Sequence, residues 1–187
     1  SQAGLSVTPL ISSAIEGSTS LLDALDRRSM NVTSVGTGAA AAPAQVLQLV
    51  RNGDFSSGSA YWSLQHPWIV DTSLQCARVS GSYTSLSASI WQDVSIPAGL
   101  QKATLSFYYY LYASVPGLVD SMALVASIWQ GGKPVWSTTV VWNQNTNPLE
   151  GTLSQSIPAS LLSSGPATLN FTLYLDTKKE DTKKEVE

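Results

Sequence analysis

Residues able to do chemistry are few and scattered in this chain. Its one histidine, His66, stands between Gln65 and Pro67, so a zinc site built from several imidazoles is excluded and a Ser-His-Asp triad has only that residue to use. No G-x-S-x-G elbow occurs. The carboxylates between residues 46 and 176 are Asp54, Asp71, Asp93, Asp120, Glu150 and Asp176. Most fall at predicted turns or strand ends, not as the facing pair, about 5–10 Å apart, that glycoside hydrolysis needs. The expectation is a protein that is not an enzyme, with His66 a plain loop residue. What stands out is aromatic: Tyr108, Tyr110 and Tyr112 alternate along one segment, and Trp136 and Trp142 align similarly on another. Such flat rings suit the stacking of sugars. They also suit cover by another part of the chain or by a neighbouring subunit, as exposed apolar patches usually mark an interface.

The elements that must position these side chains read as strands. In 103–112, Ala103, Leu105, Phe107, Tyr109 and Leu111 share one face, and Thr104, Ser106, Tyr108, Tyr110 and Tyr112 the other, which is the alternation of a half-buried strand. Leu169, Phe171, Leu173 and Leu175 alternate in the same way with Thr168, Asn170, Thr172 and Tyr174. Further strands are predicted over 46–50, 88–96, 121–130 and 134–142, with weaker ones over 68–71, 74–79 and 151–157. Turn signals such as Gly53-Asp54, Pro97-Ala98-Gly99, Gly131-Gly132 and Gly165-Pro166 separate them. About eight short antiparallel strands punctuated by turns predict an all-β jelly-roll sandwich over residues 46–176.

Residues 1–45 lack this rhythm and read as an extension ahead of the sandwich. One short helix is predicted from about Thr19 to Arg28, with Leu21, Leu22 and Leu25 on one face and Arg27-Arg28 near its negative end. A helix that short is marginal alone, and the extension is too apolar for a disordered linker. It therefore needs a surface to dock on, its own sandwich or a neighbour's. Leu5, Val7, Leu10 and Ile11, and Val32 within 30–35, are the candidate assembly contacts, able to act as a donated strand. At the other end, Asp-Thr-Lys-Lys-Glu occurs twice in succession from Asp176. The repeat reads as a solvated tail, an expression scar or an intersubunit contact.

Composition narrows the setting. Charged residues are 12% of the chain, about half of the usual ~25%, and Ser, Thr, Asn and Gln take their place. A polar but weakly charged surface suits a secreted, glycosylated or densely assembled protein, placed outside the cell or at its surface. The net charge of −3 and the lack of a basic cluster argue against nucleic acid. No apolar run is long enough to span a membrane, and Ser1-Gln2-Ala3 is compatible with an end left by signal removal. The single cysteine, Cys76, excludes an internal disulfide framework and reads as a small buried apolar residue. Asn31 and Asn170 open the two glycosylation sequons.

Two stretches add a resemblance. Leu49-Val50-Arg51-Asn52-Gly53-Asp54-Phe55-Ser56-Ser57-Gly58 followed by Trp62, and Ile90-Trp91-Gln92-Asp93-Val94-Ser95-Ile96-Pro97-Ala98-Gly99 with 103–109, resemble the opening turn and central strand pair of galactose-binding-like jelly rolls. That group includes many carbohydrate-binding modules of secreted bacterial and archaeal proteins. The resemblance implies a structural role for Phe55 and Trp62 as plugs at one end of the sandwich. It further implies a structural Ca²⁺ shared by Asp54 and Asp176, the one cofactor expected. It breaks after Leu173-Tyr174-Leu175-Asp176, where the charged repeat follows at once: either this segment is the last strand, or a last strand is missing and leaves an open edge. The leading expectation is a self-assembling subunit of an extracellular filament, pilus-like fibre or surface layer, joined through residues 1–45. The alternative is a carbohydrate-binding module using Tyr108, Tyr110, Tyr112, Trp136 and Trp142.

Overall fold

Where apolar residues recur at every second position the chain forms long strands, and their inward rows meet in one core. The computed structural model describes residues 12–20 and 44–179, the first of these segments through its backbone. Among the described residues the strands are β1 (Ser12–Ser20), β2 (Ala44–Gln48), β3 (Ser63–Leu64), β4 (Ile69–Asp71), β5 (Cys76–Arg78), β6 (Ser85–Ile96), β7 (Leu100–Leu111), β8 (Val119–Gln130), β9 (Lys133–Val141), β10 (Leu149–Ile157) and β11 (Gly165–Thr177). All pairing is antiparallel. A five-stranded sheet runs β3-β6-β11-β8-β9, a four-stranded sheet runs β10-β7-β1-β2, and β4 pairs with β5 alone. The protein is an all-β sandwich, as the alternation in the sequence requires.

Ala88, Ile90, Val94 and Ile96 of β6, Met122, Leu124, Ala126 and Ile128 of β8, and Leu169, Phe171 and Leu173 of β11 form the inner face of the larger sheet. Ala103, Leu105, Phe107 and Leu111 of β7 meet them from the smaller one. The Phe107 and Phe171 rings join the two sheets edge to face, with centroids 5.1 Å apart. Gln92 is the polar exception in this row, 2% exposed. Its Oε1 accepts the Arg51 N–H at 2.8 Å and its Nε2 donates to the Arg51 carbonyl at 2.7 Å, so burial leaves neither amide atom unpaired. One end is closed by Phe55 and Trp62, 5.1 Å apart, with Trp62 also 6.4 Å from Phe171. Asn52, at φ 51°, ties that turn: its Nδ2 donates to the carbonyls of Gly58 and Ala60, its Oδ1 accepts the Ser57 N–H, and its carbonyl accepts the Trp62 indole N–H.

Two features differ from the sequence reading. Ser12–Ser20, assigned there to an extension ahead of the sandwich, runs inside the smaller sheet, pairing with β7 from Ser12↔Tyr108 to Thr19↔Leu100 and with β2 from Glu16↔Gln48 to Ser20↔Ala44. Thr19 and Ser20 thus close a strand, and the rest of the predicted helix lies outside the described residues. The open edge that a missing last strand would leave is also corrected. β11 is that last strand, and it sits centrally, paired with β6 from Gly165↔Ile96 to Asp176↔Ser85 and with β8 from Thr168↔Trp129 to Thr177↔Val119.

Candidate functional site

Alternation along β7 places Tyr108 and Tyr110 on the outer face of the smaller sheet, with Tyr112 just beyond the strand end. All three are half-buried. The Tyr110 and Tyr112 rings lie 6.4 Å apart at 31°, and the Tyr108 hydroxyl donates to Glu150 Oε2 at 2.7 Å. That bond, more than burial or the nearby Glu150 charge, holds the Tyr108 phenol above its ordinary range. The stripe runs between β10, where Tyr110 faces Glu150 and Tyr108 faces Thr152, and β1, where Ser12 faces Tyr108.

The tryptophans expected to extend this platform are elsewhere. Trp136 lies on β9 in the other sheet and packs partly buried against the core. Trp142 is 5% exposed and donates its indole N–H to Asn147 Oδ1 at 3.2 Å. As a surface platform residue Trp142 is therefore corrected. On β9 and the residue after it, Val135 and Val141 alternate with Trp136, Val140 and Trp142, so both faces carry apolar residues and the pattern alone does not say which one faces in.

Asp54 uses its carboxylate locally: Oδ1 accepts the Ser56 N–H at 3.1 Å and the Ser56 hydroxyl at 2.9 Å, and these bonds lower its pKa. Asp176 is exposed near the end of β11. Among the described residues no group of three or more His, Cys, Asp or Glu side chains is assembled, and neither Asp54 nor Asp176 is drawn into one. His66 is exposed in a loop. Cys76 is buried, and burial raises its thiol pKa, which keeps it in the unreactive protonated form. Leu5, Val7, Leu10, Ile11, Leu21, Leu22, Leu25, Asn31 and Val32 lie outside the described residues.

One concavity among the described residues was not singled out by the sequence reading. Over the outer face of the larger sheet runs an open groove of about 820 Å³, lined in part by Gln65, Ser89, Trp91, Asp93, Trp129, Gln130, Thr168 and Asn170. Trp91 and Trp129 are 37% and 38% exposed. Register sets them diagonally across β11, because Asn170 pairs with Trp91 and Ser127 while Thr168 pairs with Asp93 and Trp129. The polar residues between them are bonded to one another. Ser89 Oγ and Thr172 Oγ1 are 2.7 Å apart, Asn170 Nδ2 donates to Thr172 Oγ1 at 3.2 Å, and Thr168 Oγ1 donates to Asp93 Oδ1 at 3.0 Å. The Trp129 indole donates to Ser127 Oγ at 3.0 Å, which fixes the direction of its ring. Trp91 was visible in the sequence as part of the family-like motif, but its pairing with Trp129 across β11 depends on strand order and register.

No protein-family model matches this chain, and no curated protein sequence or solved structure matches it either.

Proposed function

We propose that this protein is a non-enzymatic, extracellular structural subunit that assembles with copies of itself by exchanging β1, and that its sandwich is a galactose-binding-like jelly roll. One observation carries the reading. Ser20 and Ala44 are direct cross-strand partners, a juncture that a hairpin loop of roughly two to five residues would close, yet residues 21–43 intervene. A connection of that length spans tens of ångströms when extended, so β1 of one copy reaches the slot between β7 and β2 of another and makes the same hydrogen bonds there. Strand exchange adds no new interface chemistry, because the contacts are identical within one subunit or between two. The low proportion of charged residues, 12%, suits subunits packed closely in a filament or layer.

The test traps β1 where it lies. Ala14 pairs with Ser106, and antiparallel partners have Cα atoms about 4.5–5.5 Å apart, within disulfide reach. In a Cys76→Ala background, the Ala14→Cys/Ser106→Cys pair is oxidised in the assembled material and run under denaturing, non-reducing conditions. Covalent ladders that collapse on reduction are the expected outcome. Oxidised chains that all run as monomers, from particles that electron microscopy shows to be polymeric, would rule strand exchange out. Polymers that never form at any concentration would remove the structural-subunit reading itself.

A further inference from the structure

The groove on the outer face of the larger sheet is independent of β1, and its construction limits what it can hold. Its floor belongs to β6, β11 and β8; β11 and β8 have a strand on both sides, and the outer edge of β6 is paired with β3 at Ile90 and Trp91. Between Trp91 and Trp129 the backbone therefore has no free ladder edge, so an extended peptide lying over both indoles is not gripped by strand addition. Recognition must come from side chains. Those available are two exposed indoles and a set of hydroxyls and amides, with Asp93 the sole charged residue in the lining. A strongly anionic ligand would meet no Lys or Arg there, and a nucleic acid would find no phosphate partner. A purely apolar ligand would cover the polar side chains of Asp93, Gln130, Thr168 and Asn170 in the lining without offering them hydrogen bonds in place of water.

We propose that this groove binds a neutral oligosaccharide, whose ring faces lie on Trp91 and Trp129 and whose hydroxyls exchange hydrogen bonds with Asn170, Thr168, Gln130 and Asp93. Trp129 lies two strands across and two residues along from Trp91, which puts their Cα atoms about 12 Å apart. One sugar ring covers one indole, so contact with both requires a linked chain. The polar floor is ordered before a ligand arrives, through the Ser89–Thr172–Asn170 and Thr168–Asp93 bonds, which lowers the entropic cost of binding. Only one carboxylate lines the groove, so the two-carboxylate route of glycoside hydrolysis has no second member there, and the site holds its ligand without cleaving it.

The oligosaccharide has two possible sources, because Asn170 in the floor opens the Asn170-Phe171-Thr172 sequon: a free or neighbouring glycan, or a glycan attached to Asn170. The experiment uses the full chain made with and without N-glycosylation and follows indole NMR signals and tryptophan fluorescence. The unglycosylated chain is titrated with cello-, xylo-, manno- and laminari-hexaoses, and with heparin as an anionic control. At least one neutral hexaose is expected to shift the Trp91 and Trp129 signals, with heparin inert. Trp91→Ala and Trp129→Ala should each weaken binding roughly tenfold or more, while Tyr110→Ala on the opposite sheet leaves it unchanged. If Asn170 carries the native ligand, the glycosylated chain will already show the shifted signals and will refuse the free sugar. Both indoles are exposed, so circular dichroism should show each variant folded. The proposal is overturned if no hexaose moves the indole signals and glycosylation of Asn170 leaves them unchanged, or if binding survives in the Trp91→Ala/Trp129→Ala double variant.

Discussion

Tyr108 and Glu150 show how a single outward pair on the smaller sheet responds to pH. The phenol donates to the carboxylate at 2.7 Å, so ionising it would lose the bond and set two negative oxygens side by side, and its pKa in the folded state is raised. A group whose pKa is higher folded than unfolded contributes stability below the unfolded value, about 10 for tyrosine, and loses it as pH rises through the folded value. The urea midpoints of the wild type and Tyr108→Phe should therefore differ at neutral pH and converge in strong alkali. In the ultraviolet difference titration, the step that Tyr108→Phe removes should lie above the ordinary tyrosine range, and Glu150→Gln should move it down. A step within the ordinary range would mean that the bond to Glu150 does not persist in solution. No such reasoning reached Tyr108 from sequence alone, where it was one of three alternating tyrosines: its partner is 42 residues away in the chain and is brought diagonally across from it only by the pairing of β7 with β10.

Among the elements, β11 has the largest share of the packing, since it is the central strand of the larger sheet and its Phe171 contacts both Phe107 of the facing sheet and Trp62 of the end plug. Phe171 is fully buried, and truncating such a ring typically costs about 3–5 kcal/mol, through lost transfer energy and the cavity left behind. Phe171→Ala should lower the free energy of unfolding by that amount in urea denaturation. Leu161→Ala, at a site 42% exposed, should change it by no more than about 0.5 kcal/mol. A Phe171→Ala loss below about 1 kcal/mol would mean that the two sheets do not pack through this residue. β11 was legible from the sequence because Leu169, Phe171, Leu173 and Leu175 alternate strictly with polar partners, and β7 was legible for the same reason. β1 was not: Ser-Ser-Ala-Ile-Glu-Gly-Ser-Thr-Ser holds one large apolar residue, Ile15, so nothing in it repeats with period two. Its place is fixed by the free edges of β7 and β2, which are properties of the partners. The groove escaped notice for a related reason, since Trp91 and Trp129 lie far apart in sequence and converge only because β6 and β8 flank the same strand.

For the molecule as a whole, the proposed exchange of β1 has a kinetic signature that ordinary surface association lacks. β1 is hydrogen-bonded along both edges, to β7 and to β2, so it cannot leave its slot without breaking two ladders of the smaller sheet at once. Strand choice should then be made during folding, when the slot is open, and be kept afterwards. Protein refolded from urea at increasing concentration should give a rising fraction of polymer, because a neighbour's β1 competes with the chain's own by mass action. Protein refolded dilute and then concentrated should remain monomeric for hours and convert only when warmed toward its unfolding transition. Salt should matter little to either result, since a net charge of −3 gives little overall repulsion between copies for ions to screen. Light scattering after the two protocols, brought to the same final concentration, separates the cases. Equal polymer content by both routes would point to rapid reversible contacts between finished surfaces, and the long connection from Ser20 to Ala44 would then need another explanation.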